Sequence, residues 1–315
     1  MTMTNNTETK KRNSHTITND ICQRVTDRLV ALMESGVNPW RKPWGGCGAA
    51  LSRSTGKPYS LINQMLLEFR PGEYATFAQI KKEGGRVKKG AKSIPVVFWM
   101  PAQFKTVKPE TPENTDGEDD EDIKTLKWQG AILKTYNVFN LEDCEGIEPK
   151  HYKPGVPVKT FDPVGAAEDV INDYLRREGV TLTEESGDRA FYRPSTDSVT
   201  LPKREQFHNA NEFYSTAFHE LGHSTGHSTR LNRLEKAVFG DKVYSREELV
   251  AEITAAISCA ELGINTDRSE ENSAAYLTAW AQFLKSDPRA IVVAAGKAEK
   301  AFQLIFDKKA VKAAA

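Results

Sequence analysis

Ile21, Val25, Leu29 and Leu32 stand about one helical turn apart, the first of several stretches in which apolar side chains recur on one face. Thr18 or Asn19 is the expected cap of that helix and Gly36 its stop. A short apolar helix follows through Ile62, Met65 and Leu66. Thr76-Phe-Ala-Gln79 has the form of a capping box, opening a helix that runs to Glu83. The run Ile94-Pro-Val-Val-Phe-Trp-Met100 has strand length and composition, and residues 128–139 read as the returning strand. In the second half, Asp162-Pro163 supplies an N-cap and a proline at the first helical position for a helix through Val170, Ile171 and Leu175. Short strands are expected at 189–192 and 198–201. Ala210, Phe213, Tyr214, Ala217, Phe218 and Leu221 then mark an amphipathic helix that Gly226 stops. Helices near 271–285 and 288–306 carry Trp280, Phe283, Phe302 and Ile305 as core. The fold class is α+β. A disordered tail (1–17) precedes a helix-decorated α+β domain (18–140), and a linker (141–155) leads to a mostly helical domain with a small sheet (156–315).

The 315 residues suffice for two cores, and 39% apolar content is globular. No apolar run reaches the roughly 20 residues that cross a bilayer, and the polar N-terminus lacks a signal peptide's apolar centre. Cys22, Cys47, Cys144 and Cys259 form no C-x-x-C pair, which fits reduced thiols in a cytoplasm. The net charge of zero hides segregation. Residues 1–108 hold 18 Lys/Arg against 7 Asp/Glu, whereas 109–122 carry eight acids and no base. The acidic stretch, with Pro109, Pro112 and Gly117, is expected as a solvated disordered loop extending over 109–123. The basic excess before it calls for an electrostatic partner.

Residues 219–223 are His-Glu-Leu-Gly-His, within the amphipathic helix. Residues four apart share a helix face, so His219 and His223 converge on one divalent ion while Glu220 stands beside it as a base. Four of the six histidines (His208, His219, His223, His227) fall in this neighbourhood. A catalytic zinc takes a third protein ligand. The metzincin position, ten residues after His219, is Thr229, which excludes that subclass. The next helix, 245–256, offers Glu248 as ligand, with Glu252 four residues on to orient a histidine. Ser245-x-x-Glu248 is also a capping box, in which case Glu252 becomes the ligand. Glu247 is assigned to a solvated face.

In the first half, Trp40 and Trp44 bracket Arg41 and Lys42. Arg53, Lys57 and Tyr59 follow, and then Arg86, Lys88, Lys89 and Lys92 before the strand. Cations for phosphates with aromatic rings for bases are what single-stranded DNA binding requires. The glycines at 85 and 90 do not make a phosphate loop, because Lys92-Ser93 is one residue out of step and a strand follows.

Several of these motifs come in a specific order: Pro39-Trp40-x-x-Pro43-Trp44, Thr55-Gly-Lys-x-Tyr59-Ser-x-Ile-Asn63, Gly84-Gly-x-Val-x-Lys-Gly90, Tyr136-x-Val-Phe-Asn140, Ala190-Phe-Tyr192, His219-Glu-Leu-Gly-His223 and Glu247-Glu-Leu-Val-Ala-Glu252. In that order the chain resembles the ArdC-type plasmid antirestriction proteins and the N-terminal regions of TraC-type conjugation primases. The resemblance implies an N-terminal single-stranded-DNA-binding domain, a zincin-like metallopeptidase domain, and protection of incoming plasmid DNA during conjugation. Expected cofactors are Zn2+ or, with the same ligands, Mn2+. Expected partners are single-stranded DNA and, as substrates, restriction enzymes or other DNA-bound proteins. A stoichiometric DNA-binding shield or restriction decoy with a non-proteolytic metal site is the alternative. A nuclease fits less well, since one ion suits peptide hydrolysis better than two-ion phosphodiester chemistry.

Overall fold

The computed structural model describes residues 14–40, 49–100, 103–107, 125–129, 132–153, 163–234, 242–264 and 270–307. Most of the expected tail and the whole acidic stretch at 109–122 lie outside the described residues, although residues 14–17 belong to the first helix. In the first half the elements are α1 (Ser14–Glu34), β1 (Ala50–Ser52), α2 (Leu61–Leu66), β2 (Gly72–Thr76), α3 (Phe77–Lys82), β3 (Arg86–Val87), β4 (Ile94–Met100), β5 (Gln103–Val107), β6 (Thr125–Gln129), β7 (Ile132–Asn140) and β8 (Cys144–Glu145). The second half has α4 (Pro163–Glu178), β9 (Thr181–Glu185), β10 (Phe191–Arg193), β11 (Ser198–Pro202), α5 (Ala210–Ser224), α6 (Lys242–Glu261), α7 (Glu270–Ser286) and α8 (Ala290–Ile305). The α+β class and the two kinds of half are as expected.

A four-stranded sheet in the order β1-β2-β7-β4 organises the first half. β4 pairs antiparallel with β7 along its whole length, Ile94 opposite Val138 and Trp99 opposite Leu133. The returning strand is split: β6 pairs with β5 and β7 with β4. Thr76 caps α3 in a full capping box with Gln79. In the second half, β10-β11-β9 form a small sheet with β10 and β9 as its two edge strands. β9 went unread in the sequence because its TLTEE pattern puts little apolar surface on either face.

Two features modify the expected division. Residues 141–153 are not a free connector. Cys144 and Ile147 join Ala75, Ile80 and Leu141 in a core cluster, and the backbone N–H groups of Lys150, His151 and Tyr152 all bond one oxygen of Glu73 at 2.6 to 3.1 Å. Moreover, one apolar core spans both halves. Val25 and Leu29 of α1, Met65 of α2 and Val97 of β4 pack in the same cluster as Ile253 of α6, Leu277 of α7 and Ile291 of α8. Such a core joins the halves more tightly than a flexible interdomain contact would.

Candidate metal centre

Asn209 caps α5 by accepting the backbone N–H of Glu212. Phe213, Tyr214, Ala217, Phe218 and Leu221 bury one side of that helix in a cluster with Val199 and Leu201 of β11, Ala255 of α6 and Ile305 of α8. His219 and His223 are left on the opposite side, their Nε2 atoms 3.1 Å apart. α6 crosses α5 at close range: a Cβ on Gly222 would come 3.2 Å from the Cα of Ala251. A side chain there would push the helices apart, so Gly222 allows α6 to bring Glu248 over both histidines. Its two carboxylate oxygens lie 3.4 Å from His219 Nε2 and 3.4 Å from His223 Nε2. One donor atom from each of the three residues falls within 4.8 Å of the others. Two imidazoles and a carboxylate at this spacing suit a divalent ion that keeps open positions.

The competing readings of α6 separate here. The helix begins at Lys242, so Ser245 lies inside it rather than at its N-cap position. Glu252 sits on the far side of His219, 3.9 Å from its Nδ1, and is not among the three residues whose donor atoms converge. Glu247 corrects the sequence reading. It is not on a solvated face: its carboxylate is 3.5 Å from His223 Nδ1 and is gripped through both oxygens by the buried Arg233 at 2.9 to 3.2 Å. Arg233 also donates to the Gly222 carbonyl and the Thr225 hydroxyl. Each histidine thus has a carboxylate behind its Nδ1. A second missed residue is Tyr276 of α7, whose hydroxyl bonds Glu252. Nothing local in the sequence announces either Arg233 or Tyr276, since both arrive through tertiary packing.

Glu220 is 7% exposed and accepts the backbone N–H of Tyr192. Burial pushes its carboxyl up, against the opposing pull of His219 and His223. Burial works against charge on His219, but Glu248, Glu252 and Glu220 outweigh it and hold that imidazole above its usual range. A carboxyl raised in this way is suited to taking and returning a proton. Beside it runs a cleft of about 490 Å³, bounded by Ala190, Phe191, Tyr192 and Pro194 on one side and by Arg233 and Lys297 on the other. β10 forms one wall of this cleft and is steadied from behind: the Tyr192 hydroxyl donates to Asp197 at 2.6 Å, and the buried Arg230 holds Asp197.

The expected nucleic-acid residues divide into three groups. Arg41, Lys42 and Trp44 lie outside the described residues. Lys57, Arg86, Lys88, Lys89 and Lys92 are exposed, with Arg86 paired to Glu145 and Lys88 bonded to the Glu142 carbonyl. The remaining three are interior, which corrects their assignment as contacts. Trp40 is 1% exposed and stands edge-on to Tyr276 and Trp280, so no ring face is open to a base. The Arg53 guanidinium is taken up by Glu73 at 2.6 Å and Glu83 at 2.7 Å. Tyr59 is buried among Tyr74, Val96 and Val138.

Residues 19–139 match the family described as the N-terminal domain of anti-restriction factor ArdC, and residues 169–297 match the zincin-like metallopeptidase family. The Mn(II)-bound crystal structure of the antirestriction protein ArdC from plasmid R388 superposes with a TM-score of 0.65 at 32% identity, covering 92% of this chain and 98% of that one. The metal-free structure of the same protein gives 0.63. A DNA primase TraC of Escherichia coli is 36% identical over 303 residues, but the chain spans only 27% of that primase's length. A protein of Sinorhizobium fredii, y4eC, is 30% identical over 292 residues and is matched over 90% of its length. No helix among the described residues is long and apolar enough to cross a membrane. With both family regions in order and a solved relative matched over almost its entire length, the chain belongs to the ArdC family of antirestriction proteins.

Proposed function

We propose that this chain protects incoming plasmid DNA in the cytoplasm as a single-stranded-DNA-binding, zinc-dependent metallopeptidase of gluzincin-like design. The observation that carries the reading is the placing of Glu220, buried and raised, beside His219, His223 and Glu248 on one wall of an open cleft. Those three side chains would hold the ion. When bound, a divalent ion polarises a carbonyl and brings the pKa of a water towards about 7. The protein's own part is proton transfer and positioning. Glu220 takes the proton of the attacking water and delivers it to the leaving amine. Tyr192 N–H fixes the Glu220 carboxyl, and Glu252 and Glu247 fix the two rings. β10, an edge strand at the rim, offers a substrate peptide a strand to pair with. Substrates are expected among restriction enzymes and other proteins on the DNA. Mn2+ fits the same ligand set, and the R388 protein was crystallised with it.

Glu220→Gln is the decisive variant. Metal content is expected unchanged, while peptide hydrolysis falls about 10²- to 10⁴-fold, the usual contribution of a general base. Plasmid transfer into a restricting host should fall with it. Hydrolysis that survives the change overturns the mechanism. Full protection by an inactive Glu220→Gln protein assigns the function to a stoichiometric shield instead.

A further inference from the structure

The metal centre makes no use of the four-stranded sheet, and one end of that sheet leaves aromatic rings in solvent. Directly paired residues on neighbouring strands share a face, as do residues two apart on one strand. Val96, Phe98, Lys134, Tyr136 and Val138 therefore lie together, with Phe98 opposite Lys134 and Val96 opposite Tyr136. Tyr59 and Leu67 cover Tyr74, Val96 and Val138 on this face. Beyond them, among the described residues, the cover ends. Tyr74, Tyr59, Phe98 and Tyr136 follow one another with ring centroids 6.3, 6.0 and 5.7 Å apart. Exposure rises along the same series from 1% through 8% to 41% and 44%. The row is anchored in the core at one end and bare at the other.

Bare rings on an edge strand invite aggregation, and β4 is the edge of its sheet. The surrounding charge indicates an occupant. Lys134 is exposed directly across from Phe98, Lys57 is exposed two residues before Tyr59, and Lys92 is exposed two residues before β4. Segments 57–59, 92–99 and 133–138 contain no Asp or Glu. Rings flanked by cations of one sign fit a chain of unpaired bases on a phosphate backbone better than an apolar protein face. In a duplex the base faces are already stacked on each other.

We propose that Phe98 and Tyr136, with Lys134 beside them, form a base-stacking platform for single-stranded nucleic acid. The proposal rests on the single-stranded-DNA reading above and names the surface that carries it. It is tested on the full chain by fluorescence anisotropy with labelled oligo-dT and with a duplex of equal length, alongside thermal melting of each variant. Phe98→Ala and Tyr136→Ala should each weaken oligo-dT binding about 5- to 100-fold, the range for losing one base–ring stack. Duplex binding, which rests on phosphate contacts, should change by no more than about twofold. Lys134→Ala should lower the salt slope of log affinity for oligo-dT by about 0.7, one phosphate's worth on a single strand. Photo-crosslinking of the unmutated protein to 5-iodouracil oligonucleotides, followed by peptide mapping, needs no variant to fold and should mark Phe98 or Tyr136. Crosslinks confined to other segments overturn the platform, as do folded variants that bind oligo-dT like the parent. Self-association that Phe98→Ala abolishes while DNA affinity holds makes the patch a protein interface and also overturns it. If the unmutated chain binds no oligo-dT, the single-stranded-DNA reading itself falls.

Discussion

Around Glu73, the Arg53 guanidinium and three backbone N–H groups converge on one buried carboxylate; around Glu248, two imidazole nitrogens face the carboxylate at the floor of a cleft. The residue type is the same, and the partners are what differ. Glu73 receives a full positive charge and N–H donors enough to occupy its lone pairs, so its site is closed and serves to tie 150–152 to β2. At the other site the imidazoles offer lone pairs rather than a positive charge, and Glu247 and Glu252 press more negative charge against their far nitrogens. Such a set suits a divalent cation. What surrounds a carboxylate, rather than the residue type, decides whether it locks a segment or stays open to a ligand.

The largest expected effect comes from the binding of a divalent cation. Metal at a thousandfold excess over its Kd should stabilise the protein by about 4 kcal/mol, and at a hundredfold excess by about 2.7 kcal/mol. Thermal or denaturant unfolding with and without Zn2+ or Mn2+ reads this, and Glu248→Ala should remove it. An Arg53→Ala variant probes the closed site. Breaking a buried ion pair costs about 3–5 kcal/mol, and the lower end applies here because Glu73 keeps its three N–H donors. Denaturant unfolding should show a loss of about 3 kcal/mol with metal affinity intact. If Arg53→Ala also abolished metal binding, the two sites would not be independent.

A smaller effect separates ligands from the groups that orient them. Arg233→Ala releases Glu247 from its two-point grip and so loosens His223. Outer partners of this kind typically govern metal affinity by about 10- to 100-fold. Competition with a chelator should show a loss in that range, and an unchanged affinity would reduce Arg233 to packing.

The histidine pair is legible because its spacing is local: four residues on one helix put His219 and His223 together wherever the helix lies. The Gly226 stop, the Thr76 capping box and the placing of α7 and α8 were legible for the same reason. What escaped depends on distant partners. The sequence alone puts Glu247 towards solvent, because Arg233 reaches it from the turn after α5 and α6 carries no one-sided pattern to show which of its faces is inward. Trp40 reads equally well as a platform or as core until Tyr276 and Trp280 close over it from α7. Arg53 counts as a free cation until Glu73 and Glu83 are brought to it. Phe98 escapes notice because a strand of continuous apolar residues does not reveal where its cover ends.

The smallest effect is on acid stability, and it sets the closed site apart from the open one by sign. Bonds from Arg53 and Lys150 hold the Glu83 carboxyl down at about 2, and Glu73 is likewise lowered, the backbone N–H of His151 and the Arg53 guanidinium overcoming the cost of its burial. A carboxyl with a folded pKa below its unfolded value binds fewer protons in the native state. Its contribution to stability is therefore complete above about pH 4.5 and is lost as pH falls through the folded value. For this cluster the window runs from about 4.5 down to about 2. Unfolding measured in metal-free buffer across that window should show stability falling with acid, and Arg53→Ala should flatten the slope by removing the cation that lowers both carboxyls. A slope unaltered in Arg53→Ala would mean that the acid response comes from elsewhere in the chain, with Asp197, lowered by Arg230 and Tyr192 against its own burial, the next group to test.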